Sequence, residues 1–114
     1  MAAQGKCSVR FTRRYAASAR EVWCALTDPE SLGRWLGRPV GVEVVVREVE
    51  PGHVLEFDWR REGEEPSLVR FELRGDGDAT VLVLEHSRID EPEGMASIAR
   101  WDRALRRFKG VLSA

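Results

Sequence analysis

Histidine, cysteine and alternating carboxylates are the residues of this 114-residue chain that could do chemistry. His53 falls at a turn and His86 near the end of an alternating stretch. Neither is placed by sequence beside a nucleophile or a second base, so a proton-transfer role would rest on His86 alone. Alternation puts His86 on the same side as Leu82 and Leu84. Glu56 and Asp58 alternate onto the side opposite Phe57 and Trp59, which suits solvent contact better than an acid and base pair. Cys7 and Cys24 have neither metal-ligand spacing nor a Cys-x-x-Cys pairing, and read as two reduced thiols. Histidine, cysteine and carboxylate nowhere take the spacing of a metal site, and no cofactor is implied. Gly75-Asp76-Gly77-Asp78 is rich in glycine but joins two strands, so it reads as a hairpin turn and not as a phosphate loop. No catalytic residue is assigned, and the expected chain is non-enzymatic.

The elements that would position these residues must form within one domain, residues 1–114, which at this length can bury a core without metal or disulfide. A net charge of -1 gives no electrostatic reason to expect nucleic acid. No apolar run reaches transmembrane length, and Met1 to Ser8 lacks the hydrophobic core of a signal peptide, so no membrane contact and a cytoplasmic location are expected.

The longest element is a helix over residues 93–112, where Met95, Ile98, Trp101, Leu105, Phe108 and Leu112 recur at spacings of three and four. Arg100, Arg103, Arg106, Arg107 and Lys109 fall on its other sides and read as a solvated basic face. Residues 7–15 alternate as a strand, with Val9, Phe11, Arg13 and Tyr15 on one side; Arg13 interrupts the apolar side. Ser18 to Glu21 forms a capping box for a short helix. Asp28-Pro29 ends that helix and caps a second, which Gly37-Arg38-Pro39 stops. From Val42 to Ser87 the period changes to two, giving a four-strand meander with turns at Pro51-Gly52, residues 62–66 and residues 75–78. Its last strand is apolar on both sides and belongs inside the sheet.

Several stretches carry a resemblance. The helix pair at residues 20–37, with Glu21-Val22-Trp23-Cys24-Ala25-Leu26-Thr27-Asp28-Pro29 and Leu32-Gly33-Arg34-Trp35-Leu36, resembles the START-like SRPBCC superfamily. Within it, the similarity is to the homologues of the activator of the heat-shock-protein-90 ATPase. The resemblance resumes at residues 54–59, at Val69 to Leu73 and at Leu82-Val83-Leu84-Glu85-His86-Ser87, and ends at Trp101 to Leu105. It implies an α+β helix-grip (START/Bet v-like) fold. A curved antiparallel sheet would wrap a long C-terminal helix, with two short helices after the first strand. Members usually carry an extra strand pair after the second short helix, for which this chain has no room. The implied sheet is therefore shortened to about five strands, with Val42 to Glu50 on the outer edge.

The resemblance also implies an apolar cavity between sheet and long helix that holds a hydrophobic or amphipathic small molecule. Candidate lining residues are Trp35, Leu55, Phe57, Trp59, Phe71, Leu84, His86, Met95, Ile98 and Trp101, with a filled, dry core as the alternative. The exposed edge, apolar on both faces through Val42, Val44 and Val46, suggests a homodimer. The activator resemblance allows instead a chaperone-binding module, contacting its partner through the sheet surface and the basic end of the last helix. An enzyme of the cyclase or hydratase kind, as found elsewhere in the superfamily, would depend on His86.

Overall fold

The computed structural model describes residues 5–37 and 41–113. In chain order the elements are β1 (Lys6–Tyr15), α1 (Ala19–Thr27), α2 (Pro29–Trp35), β2 (Val42–Glu50), β3 (Val54–Arg61), β4 (Ser67–Asp76), β5 (Ala79–Asp90), a 3-10 turn (Glu91–Glu93) and α3 (Gly94–Ser113). The strands form one antiparallel sheet in the order β1-β5-β4-β3-β2, so β5 is interior and β2 is an edge, as the two-sided apolar pattern of the one and the position of the other suggest. This is the α+β helix-grip arrangement expected from the sequence. Arg38 and Pro39 of the expected helix stop lie outside the described residues.

The local signals act as their chemistry requires. The Ser18 hydroxyl accepts from the Glu21 amide at 3.2 Å. The Glu21 carboxylate accepts from the Ser18 hydroxyl, not from the backbone amide that the box motif names. Asp28 ends α1 and caps α2 by accepting from the Ser31 amide at 3.0 Å, with Pro29 at the first helical position. At the β4–β5 turn, Gly77 takes φ +61 as the first loop residue between the paired Asp76 and Ala79, which is what a two-residue type II′ hairpin needs. Arg13, which interrupts the apolar side of β1, lies 5.3 Å over the Phe11 ring and reaches Asp102 of α3 at 3.5 Å. Its stem packs while its charge stays wet.

α3 meets the sheet along a face that differs from the expected stripe. Gly94, Ser97, Trp101, Ala104, Leu105 and Phe108 are buried, whereas Met95 is 78% exposed and Ile98 44%. The helix enters from β5 so closely that a side chain at Gly94 would meet Cys7 Sγ at 3.2 Å. Small residues must face the sheet there, which turns the two larger ones outward. Both cysteines are free thiols. Among the described residues no helix is long and apolar enough to cross a membrane.

The space between sheet and α3 is filled by rings. Tyr15 stacks edge-on with Phe108 (centroids 5.4 Å apart), Phe108 with Trp35 (5.3 Å), Trp35 with Phe71 (5.8 Å) and Phe71 with Trp101 (6.2 Å). Trp101 then meets Trp59 at 5.5 Å, and Trp59 meets His86 at 5.7 Å. Edge-to-face pairs at such spacings are favourable beyond their buried area. The column runs through the grip and leaves open space at its His86 end.

One backbone feature shapes that end. Cys7 pairs with Ile89 but Val9 with His86, so β5 carries one more residue than β1 over this interval. In this bulge Arg88 takes φ +60, a left-handed conformation that an L side chain rarely holds. The bulge shifts the alternation, so that Ile89 and not Arg88 follows Leu82, Leu84 and His86 into the interior. A left-handed residue costs about 1–2 kcal/mol, and glycine loses about 0.5–1 kcal/mol more in entropy on folding. Arg88→Gly should therefore raise stability by about 0.5–1 kcal/mol, read as a higher urea midpoint at unchanged slope. A lower midpoint would show that the Arg88 side chain contributes more than its backbone costs.

Candidate functional site

Where the aromatic column ends, the sheet and the first half of α3 diverge and leave a cleft of about 280 Å³. Trp59, Ser67, His86, Ile89 and Ser97 line it together with charged groups at its rim. β3 and β5 place Trp59 and His86 on the concave face by strand alternation, β4 begins at Ser67, and α3 supplies Ser97, one turn before Trp101, and Arg100, next to it in sequence.

His86 lies at the floor, 2% exposed. The Trp101 indole Nε1–H donates to His86 Nδ1 at 2.9 Å. An indole can only donate, so Nδ1 is the acceptor and the proton sits on Nε2. Nε2–H then donates to Ser67 Oγ at 2.7 Å, and the Ser67 hydroxyl donates to the Trp59 carbonyl at 3.1 Å. Every polar atom in this run is used. Burial, with the nearby charges of Arg100 and Arg61, lowers the His86 pKa from 6.5 to about 4, so the ring is neutral at pH 7. It has no free lone pair with which to take a proton from a substrate. Its geometry is that of a structural relay holding α3, β4 and β5 together.

Trp59 is different. Its ring is 3% exposed, and its indole nitrogen is the only buried side-chain nitrogen or oxygen without a hydrogen-bond partner among the described residues. Such groups are rare in native proteins because each forfeits its hydration. The Arg100 guanidinium sits 5.6 Å over the Trp59 ring, a cation on a π face. Burial, followed by the charge of Arg61, lowers the pKa of Arg100. Around the rim, Lys6 pairs with Asp90 at 2.5 Å and Arg61 with Glu93 at 3.4 Å. Charge at the rim is thus largely matched, and the deeper wall is apolar and hydroxylic with one cation over it.

The candidates named from sequence separate on this geometry. Trp59 and His86 line the cleft, and Trp101 stands behind His86. Trp35, Leu55, Phe57, Phe71 and Leu84 are fully buried in the packed core. Met95 and Ile98 point outward, which corrects their assignment to the interior stripe. Ser67, Ser97, Ile89, Arg88 and Arg100 belong to the cleft and were not among the candidates. The break in alternation between His86 and Ile89 was a readable signal for the bulge. Nothing in sequence marked Ser67, and Arg100 looked like one more member of a basic face. Arg107 of that face is also committed, since its Nε donates to the Trp35 carbonyl at 3.0 Å.

Residues 36–113, more than half of the chain, match the family described as Activator of Hsp90 ATPase homolog 1-like protein. The chain belongs to that family. The match begins beyond most of the helix-pair motif that carried the resemblance, but structural likeness covers both. The crystal structure of CalU16 from Micromonospora echinospora is 30% identical with a TM-score of 0.80, over 92% of this chain and 74% of that one. The solution structure of CalU16 is 29% identical with a TM-score of 0.79, and the chain spans 63% of its length. DynU16, described as a putative protein in the dynemicin biosynthetic locus, is 26% identical with a TM-score of 0.80, over 94% of this chain and 47% of that one. The Aha1 dimer from Colwellia psychrerythraea shares the fold at 16% identity and a TM-score of 0.78, over 93% and 96% of the two chains. Among curated proteins none matches.

Proposed function

We propose that this family member binds a small amphipathic molecule in the cleft between the sheet and the first half of α3. The apolar part of the ligand lies against Trp59 and Ile89, and its polar part meets Ser97 and Arg100. The observation that carries this reading is the unpartnered indole N–H of Trp59, in a ring that forms the cleft wall beneath a half-buried guanidinium. A ligand acceptor that displaces Arg100 from the ring would give both groups a partner. The site is smaller and more polar than the interior cavity implied by the resemblance, because the aromatic column occupies that volume. The likeness to a protein of a biosynthetic locus accords with a small-molecule ligand.

The chaperone-partner reading draws on the family's description, and no cluster in the cleft favours it. Its two surface arginines are unequal probes: Arg103 is exposed and free to test, whereas reversing Arg107 would also break its bond to the Trp35 carbonyl. Two free cysteines suit a reducing, cytoplasmic setting. The unpaired β2 edge suits a homodimer through Val42, Val44 and Val46.

The test uses 8-anilinonaphthalene-1-sulfonate, an apolar anion. Saturable binding of one probe per chain is expected, weakened at least about tenfold in Arg100→Gln and in Trp59→Phe, which keeps the packing but lacks the donor. Equal probe affinity in both folded variants would overturn the reading.

A further inference from the structure

We infer that two copies of this chain join β2 to β2 in one register, about a two-fold axis at Val45, forming a continuous ten-stranded sheet sealed by two Glu43–Arg47 ion pairs. This rests on the reading of the β2 edge as the self-association surface and specifies its geometry.

The edge is open and adhesive. β2 has a partner only in β3, and Val45, Val46 and Val49 are 44%, 47% and 54% exposed. Its free hydrogen-bonding groups can be named. The Glu62 amide donates to the Gly41 carbonyl at 3.4 Å, and on the far side of β3 the Leu73 amide donates to the His53 carbonyl at 2.9 Å. Alternation along the ladder then turns the amides and carbonyls of Glu43, Val45 and Arg47 toward β3, and those of Val42, Val44 and Val46 toward open solvent. The three valines of the expected edge are thus among the residues whose backbone is unpaired.

Pairing of two identical antiparallel strands must set outward-turned groups opposite one another, so each allowed register places one residue opposite its own copy. A centre at Glu43 or at Arg47 stacks like charges. A centre at Val44 sets Glu43 opposite Val45, and a centre at Val46 sets Arg47 opposite Val45, so neither brings opposite charges together. The centre at Val45 sets Val45 on itself, Val44 opposite Val46, Val42 opposite Glu48, and Glu43 opposite Arg47 on both sides of the axis. It is the register among these that matches opposite charges, and directly opposed charges are the pairs that count in a sheet.

Arg47 is already positioned for this role. One of its terminal nitrogens holds Asp58 at 2.6 Å on the outer face of the sheet. That fixes the guanidinium and leaves further donors for a second carboxylate. Glu43 lies on the same outer face, four residues away, and is exposed. The same two residues, four apart within one strand, thus become partners between strands, which is what an isologous contact requires.

Native mass spectrometry of the full chain tests both levels. The expected wild-type species is twice the 12.9 kDa chain. E43R alone and R47E alone each place like charges across the seam and should dissociate at least about tenfold more readily. Mixed one to one, they should form the heterodimer, in which both pairs are restored, one with the wild-type sign and one with exchanged sign. R47E loses its Asp58 contact alone and in the mixture alike, so the comparison isolates the seam. A wild-type chain that is monomeric at high concentration, or a dimer that survives V44K/V46K, would overturn the edge reading itself. A dimer abolished by V44K/V46K, with no heterodimer from the charge-swapped mixture, would overturn the register while leaving the edge.

Discussion

Trp35→Ala is expected to lower the unfolding free energy by about 3–5 kcal/mol, the range for truncating a large buried aromatic side chain. Trp35 is fully buried, stacks edge-on with both Phe71 and Phe108, and donates its indole N–H to the Ala25 carbonyl at 3.2 Å. Its own carbonyl accepts from Arg107. One residue of α2 therefore ties α1, α3 and β4 together, and its removal leaves a cavity in the middle of the aromatic column. Urea unfolding followed by far-ultraviolet circular dichroism would measure the loss. Trp35→Phe keeps most of the volume and removes the indole donor, so its cost should be about 1–2 kcal/mol. A loss under 1 kcal/mol for the alanine variant would show that the column collapses to fill the space.

The second expectation concerns pH. His86 has its pKa lowered from 6.5 to about 4, first by burial and then by the charges of Arg100 and Arg61. Above pH 6.5 the ring is neutral in both folded and unfolded chains and contributes no pH dependence. Below 6.5 the unfolded chain takes up a proton that the folded one refuses until about pH 4. Stability should therefore fall as pH drops through that window, by about 3 kcal/mol from this group alone. His86→Gln offers an oxygen to the Trp101 indole and an amide to Ser67, and it does not titrate. The difference between the wild-type and His86→Gln stability curves should be flat above pH 6.5 and close by about 3 kcal/mol on the way to pH 4. Parallel curves would show that His86 protonates in place, and would remove the assigned Nδ1 acceptor.

Both expectations depend on contacts between residues far apart in sequence, and this is the boundary between what was legible and what was not. Residues 18–37 carry their own instructions: a serine cap, an Asp-Pro junction and a proline at the first helical position act through neighbours three residues away or fewer. The strands were legible for the same reason, since alternation is a local periodicity, and the interior place of β5 followed from its two apolar faces. The order of the strands and the long helix made the family recognisable.

The site was not legible in this way, because its geometry is set by packing. Periodicity proposed Met95 and Ile98 for the buried face of α3, but the close approach at Gly94 gave those places to Gly94 and Ser97. Inward alternation named Trp35, Phe57, Phe71 and Trp101 as walls of a cavity. Whether inward-facing rings line a space or fill it depends on how closely helix and sheet approach, and here they stack at 5.3–6.2 Å. His86 was a candidate base by its type. The Trp101 indole, 15 residues away, fixes its tautomer and removes that possibility. Sequence by itself determined the elements, their order and the family, because short-range capping, turn and alternation chemistry suffices for these. Only the tertiary structure decided which inward residues meet open space and which donor is left unpartnered, because those depend on distances between elements that no local pattern encodes.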